Sequence, residues 1–67
     1  MNITINGEEY YDLPVEMTVA DLLTHLSLPP KKIAVERNLE IVSKSTFETT
    51  KLTEGDRLEI IHFIGGG

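Results

Sequence analysis

Cysteine is absent from the chain. That excludes disulfide staples, thiolate catalysis and Cys-ligated zinc or iron–sulfur centres. Small secreted domains lean on disulfides for stability, so a cysteine-free chain of this size is expected in the cytoplasm. Basic residues are also scarce. Lys and Arg number 6 against 11 Asp and Glu, a formal charge of -5, and the one basic cluster, Lys31-Lys32, sits beside Pro29-Pro30 as a solvated turn. A phosphate-backbone footprint needs clustered cations, so nucleic acid is not expected as a partner. No apolar run approaches a membrane span, and MNITINGEEY at the N-terminus lacks the charged-then-apolar layout of a secretory signal.

The pattern that is present is that of one small α+β domain. Asn2-Ile3-Thr4-Ile5 alternates polar and apolar, the period of a half-buried strand. Asn6-Gly7 follows, a strong hairpin signal because both positions tolerate positive φ, and Glu8–Leu13 reads as the returning strand, closed by Pro14. Thr18 is a good helix N-cap, and Asp21 is placed to answer it as the third helical residue. Val19, Leu22, Leu23 and Leu26 form one apolar stripe, so a helix is predicted near Thr18–Ser27, ended by Pro29-Pro30.

Further along, Ile33–Arg37 reads as a strand, Asn38 as a turn, and Glu40-Ile41-Val42 as a short extended segment. Ser43–Thr50 is polar loop anchored by Phe47. After the turn Thr53-Glu54-Gly55-Asp56 comes the strongest strand, Arg57–Ile64. A helix between a hairpin and later strands must lay its stripe on one sheet face. The expected architecture is therefore a β-grasp: a mixed sheet of four to five strands with one main helix on one face. Residues 1–64 form the single domain and 65–67 a flexible glycine tail.

The usual catalytic arrangements are missing. His25 and His62 have no second ligand at metal spacing, and both read as surface or structural residues. Glu8, Glu9, Glu36, Glu40, Asp56 and Glu59 fall at turns or outward strand positions, where a solvated charge accounts for each. A catalytic carboxylate pair needs a cleft that drives its pKa values apart, and a two-layer domain offers little room for one. No nucleophile elbow surrounds Ser27, Ser43 or Ser45. Gly7 and Gly55 are isolated turn glycines, not a phosphate loop. No catalytic residue, metal site or bound cofactor is expected.

Attention moves to the end of the sequence. With period two, Leu58, Ile60, His62 and Ile64 share one face of the last strand, and Glu59, Ile61 and Phe63 share the other. If Leu58 and Ile60 face the helix, Ile61 and Phe63 are exposed on an uncovered face, either as residual surface hydrophobes or as a docking patch. Gly65, Gly66 and Gly67 follow. Such a tail is either passive, as chain ends often are, or a thread that enters a narrow channel and presents a carboxylate with no Cβ in the way.

Taken together, Val35-Glu36-Arg37-Asn38, the turn Glu54-Gly55-Asp56-Arg57, the run Leu58–Phe63 and the glycine ending closely resemble the sulfur carrier family of thiamine biosynthesis, ThiS. The resemblance implies the β-grasp fold and a carrier that partner enzymes act on rather than an enzyme. Carried onto this chain, it makes Gly67 the residue adenylated and converted to a thiocarboxylate, with Gly65, Gly66 and Gly67 entering the partner's active site. Ile61, Phe63 and Ile64 become the docking strand. Implied partners are a ThiF-type adenylyltransferase using ATP and magnesium, a sulfur donor (a cysteine desulfurase or its persulfide), and a ThiG-type thiazole synthase. A similar ending occurs in the small subunit of molybdopterin synthase and in ubiquitin-like modifiers. A carrier serving another acceptor, or conjugating to proteins, is the alternative in the same class. A β-grasp interaction module with a passive tail is the alternative in another.

Overall fold

A computed structural model describes residues 1–63 of the chain. Its elements are β1 (Ile3–Ile5), β2 (Glu8–Tyr10), helix α1 (Val19–His25), a 3-10 turn at Pro30–Lys32, β3 (Ile33–Arg37), β4 (Glu40–Val42), a second 3-10 turn at Lys44–Thr46, and β5 (Arg57–His62). The strands form one sheet in the order β2-β1-β5-β3-β4. β5 lies at its centre, parallel to β1 and antiparallel to β3. The expected β-grasp arrangement, a mixed five-stranded sheet beneath one helix, is the one observed.

Alternation along the central strands builds the core. Ile3, Ile5, Ile33, Val35 and Leu58 point to the helix side and are almost fully buried, where they meet Val19, Leu22 and Leu23. Phe47 is buried with them and is the anchor the sequence predicts for the polar loop around it. Two nearby bonds, Ala20 N–H to Phe47 O at 2.8 Å and Val19 N–H to Thr50 O at 3.0 Å, tie that loop to the first turn of α1.

The helix starts as expected and stops earlier. Thr18 Oγ1 accepts from Asp21 N–H at 3.1 Å and Asp21 Oδ2 accepts from Thr18 N–H at 3.0 Å, a reciprocal cap that satisfies two otherwise orphaned donors. The prolines do not end α1. Ser27 adopts φ 58°, while Leu28 N–H reaches Leu23 O at 2.8 Å and Ser27 N–H reaches Thr24 O at 3.0 Å. That pair of bonds is the Schellman ending, which closes the helix on its own carbonyls before Pro29 is reached. Pro30 instead opens the following 3-10 turn.

β2 is also shorter than the Glu8–Leu13 strand expected, and it ends at Tyr10. Asp12 turns to φ 59° and donates its N–H to Asn2 Oδ1. This directs Leu13 into the core, where its N–H bonds Met1 O at 2.9 Å. The apolar pull of one side chain outweighs continuation of a short edge strand. β5 ends at His62 rather than at Ile64; Ile64 and the proposed tail Gly65–Gly67 lie outside the described residues.

Candidate functional site

The candidate site is the uncovered face of the sheet around the end of β5. Leu58 is fully buried against the helix and Ile60 half-buried, so the residues between and beyond them face the other way. Ile61 is 55% exposed and Phe63 51% exposed. Ile61, between half-buried Ile60 and the groove-lining His62, therefore lies where period two places it, on the face with no helix, and Phe63 just past the strand is exposed as expected. Backbone pairing sets Ile61 opposite Ala34 and Glu59 opposite Glu36 on this face.

Sequence reasoning missed one further member. Ile41 in β4 pairs with Glu36 and is 72% exposed. It adds a second isoleucine to the open face, one strand beyond Ala34. Its signal was present in Glu40-Ile41-Val42: once Val42 packs toward the core, its neighbour must point outward. The like charges of Glu36 and Glu59, directly opposed on adjacent strands, oppose pairing slightly and place acidic groups beside the apolar residues.

Phe63 lies just past β5 and is held there. Its N–H donates to Lys32 O at 2.8 Å, prolonging the β3–β5 pairing by one bond. Lys44 Nζ stands 5.8 Å from the ring centroid and donates to Lys31 O at 2.8 Å, so a cation covers part of the aromatic face. His62, on the other side of the strand, is exposed and lines a shallow groove with Asn6, Tyr10, Leu28 and Ile60.

The far end of β5 is built differently. Asp56 does not carry the solvated charge expected of it; it is 4% exposed. Its carboxylate accepts from Thr53 N–H at 2.8 Å, Thr53 Oγ1 at 3.0 Å, Asn38 Nδ2 at 3.0 Å and Arg37 Nε at 2.8 Å. Burial alone would raise its pKa, yet the bonds from Thr53 N–H, Asn38, Arg37 and the Thr53 hydroxyl outweigh it and hold the carboxyl below 3.8. The reason for the correction is topological. The β3–β4 turn folds over the start of β5, and only then do Arg37 and Asn38 reach a residue 18 or 19 positions later.

Among the described residues, no group of three His, Asp or Glu side chains could hold a metal ion. None of their helices is long and apolar enough to cross a membrane. What the site offers is an apolar patch, edged by acidic side chains, on the strand that precedes the glycines in sequence.

The sequence profile of the ThiS family matches residues 2–67. The chain is 37% identical to the sulfur carrier protein ThiS of Bacillus subtilis over 65 residues, spanning 97% of this chain and 98% of that one. It is 51% identical over 67 residues to a thiazole synthase of Paramagnetospirillum magneticum, covering this whole chain and 20% of the relative, so it spans about a fifth of that protein's length. Among solved structures, the crystal structure of thiamine biosynthesis protein ThiS from Geobacter metallireducens superposes with a TM-score of 0.84 at 33% identity, over the full length of both chains.

Proposed function

The chain belongs to the ThiS family, and from that premise we propose that it is a sulfur carrier of thiamine biosynthesis whose Gly67 carboxylate is the group loaded. A free carboxylate is a poor acyl donor. Attack of its oxygen on the α-phosphorus of ATP, catalysed by a ThiF-type adenylyltransferase with magnesium, would release pyrophosphate and leave an acyl adenylate. The outer sulfur of a cysteine desulfurase persulfide then displaces AMP to give an acyl disulfide. A second thiol attacks that disulfide, taking up the former persulfide cysteine as a new disulfide and releasing the thiocarboxylate, the form that gives up sulfur during thiazole formation. In this reading the chain performs no catalysis, binds no cofactor of its own, and works in the cytoplasm.

Gly65, Gly66 and Gly67 enter the activating site, where the lack of side chains suits a narrow channel. Ile61, Phe63 and Ile64 dock the carrier, and Ile41 extends the same surface. The observation that carries the reading is that the family match runs through Gly67, while Ile61 and Phe63 stand exposed on the strand just before it. The thiazole synthase name of the Paramagnetospirillum magneticum relative, part of which matches this whole chain, supports a ThiG-type synthase as acceptor.

The test is direct. Incubation with ATP, magnesium, a cognate adenylyltransferase and a sulfur source should raise the intact mass by the difference between one sulfur and one oxygen, with the gain mapping to Gly67. Removal of Gly66 and Gly67 should abolish both the mass gain and ATP–pyrophosphate exchange, with the unfolding midpoint close to wild type. An unchanged mass together with absent exchange in the presence of a competent partner would refute the carrier reading. Sulfur transfer to a thiazole synthase, and not to a molybdopterin synthase, identifies the acceptor.

A further inference from the structure

We propose that Asn6 is a positioning residue for the docking end of β5, with its side chain standing in for the strand that β1 no longer supplies. β1 and β5 run parallel, and their main chains bond through Thr4 N–H to Asp56 O at 3.0 Å and Asn6 N–H to Leu58 O at 2.9 Å. The next partner on β5 is Ile60. At that level β1 has already turned away, because Asn6 and Gly7 take φ 50° and 82° to make the hairpin. Ile60 would be left with a free N–H and a free carbonyl toward β1.

The Asn6 carboxamide fills both positions. Its Oδ1 accepts from Ile60 N–H at 2.7 Å, and its Nδ2 donates to Ile60 O at 3.1 Å. A primary amide carries one acceptor and a donor group on the same carbon, so a single side chain completes a rung that two separate main-chain groups make elsewhere in a parallel ladder. Few residues could do this. Aspartate lacks the donor, serine is too short to span the gap, and glycine keeps the turn but has no side chain. The residue must also tolerate positive φ, which asparagine does more readily than most.

The location gives this rung its consequence. Ile60 immediately precedes Ile61 and Phe63, and beyond it the described chain is held from the β3 side, ending with Phe63 N–H on Lys32 O. Asn6 is therefore the last β1-side grip on the strand before the exposed pair. It fixes the angle at which Ile61 and Phe63 present themselves. This proposal rests on the docking reading of Ile61 and Phe63.

The experiment compares Asn6→Gly with Asn38→Gly, the same change in the turn at the opposite end of β5. Both keep a turn that accepts positive φ. At a temperature where both variants are folded, Asn6→Gly should raise the KM of ATP–pyrophosphate exchange for the carrier about fivefold with kcat near wild type, the mark of lost binding. Asn38→Gly should leave KM unchanged. Amide exchange at Ile60 and Ile61 should speed up about tenfold more in Asn6→Gly than in Asn38→Gly, as expected of local opening. Equal KM values, or exchange that rises equally along β5 in both variants, would overturn the proposal. Ile61→Asp distinguishes the two failures. If it raises KM while Asn6→Gly does not, the docking surface stands and the positioning role falls. If neither raises KM, both fall.

Discussion

Two hairpin turns grip β5, one from each side and one at each end. Each places an asparagine at its first left-handed position: Asn6 at φ 50° and Asn38 at φ 51°. Each asparagine then adds a rung where its own strand has turned away. Asn38 gives its N–H to Arg57 O at 2.8 Å and accepts from Arg57 N–H through Oδ1 at 2.9 Å, while Asn6 makes both bonds to Ile60 with its side chain. The surroundings separate them. Asn38 also donates to a buried carboxylate that Arg37 and Thr53 share, whereas Asn6 grips the backbone alone. One end of the strand is locked by a cooperative polar cluster, and the other is held lightly beside an apolar surface. Stability is concentrated at the first, and the proposed docking surface falls at the second, as regions that engage partners are commonly drawn from the less stable parts of a fold.

Separate substitutions at the two ends should break stability and recognition apart. Asp56→Ala carries the largest expected stability effect, a loss of about 2–3 kcal/mol by denaturant titration, because it removes the one charged acceptor of four part-buried hydrogen bonds. Arg37 remains partly solvated and keeps the loss from being larger. The activation KM should not change when the variant is assayed folded. The same network sets an acid response. Its carboxyl titrates below 3.8 when folded, so its contribution is fully present above that value and is lost as pH falls through the lower folded pKa. The gap in stability between wild type and Asp56→Ala should therefore narrow on going from about pH 5 to below pH 3.

Ile61→Asp should show the reverse. Its side chain is already half in solvent, so unfolding should shift by less than about 1 kcal/mol. The KM for activation should rise about tenfold or more, since a charge would meet an apolar partner surface. A large stability loss without a KM change would put Ile61 in the fold and not in the interface.

The smallest effect sharpens the contrast from the locked end. Leu39 follows Asn38 at φ 72° and is 92% exposed. A left-handed leucine costs roughly 1–2 kcal/mol, and its exposed side chain recovers little of that by packing. Leu39→Gly should stabilise the domain by about 0.5 kcal/mol, a gain readable as a raised denaturation midpoint. Activation KM should again stay put.

Much of this protein is local, and those parts are legible in the chain. The Asn6-Gly7 turn, the Thr18–Asp21 cap and the inside–outside alternation of β5 depend on residues within a few positions of one another. A two-residue period is enough to group Ile61 with Phe63 on one face of the strand and Leu58 with Ile60 on the other. What eluded a sequence reading was decided at long range. Whether Asp56 is a solvated or a buried charge depends on Arg37 and Asn38 folding over it, and the second role of Asn6 depends on a partner 54 residues away. The early end of β2 followed from burial of Leu13, while that of α1 is a local closure by Ser27 and Leu28 that the sequence pattern did not signal. The alternation in the sequence determined which side chains of β5 share a face. Only the assembled sheet decided how that strand is held, because a hydrogen bond between distant residues exists only once the chain has brought them together.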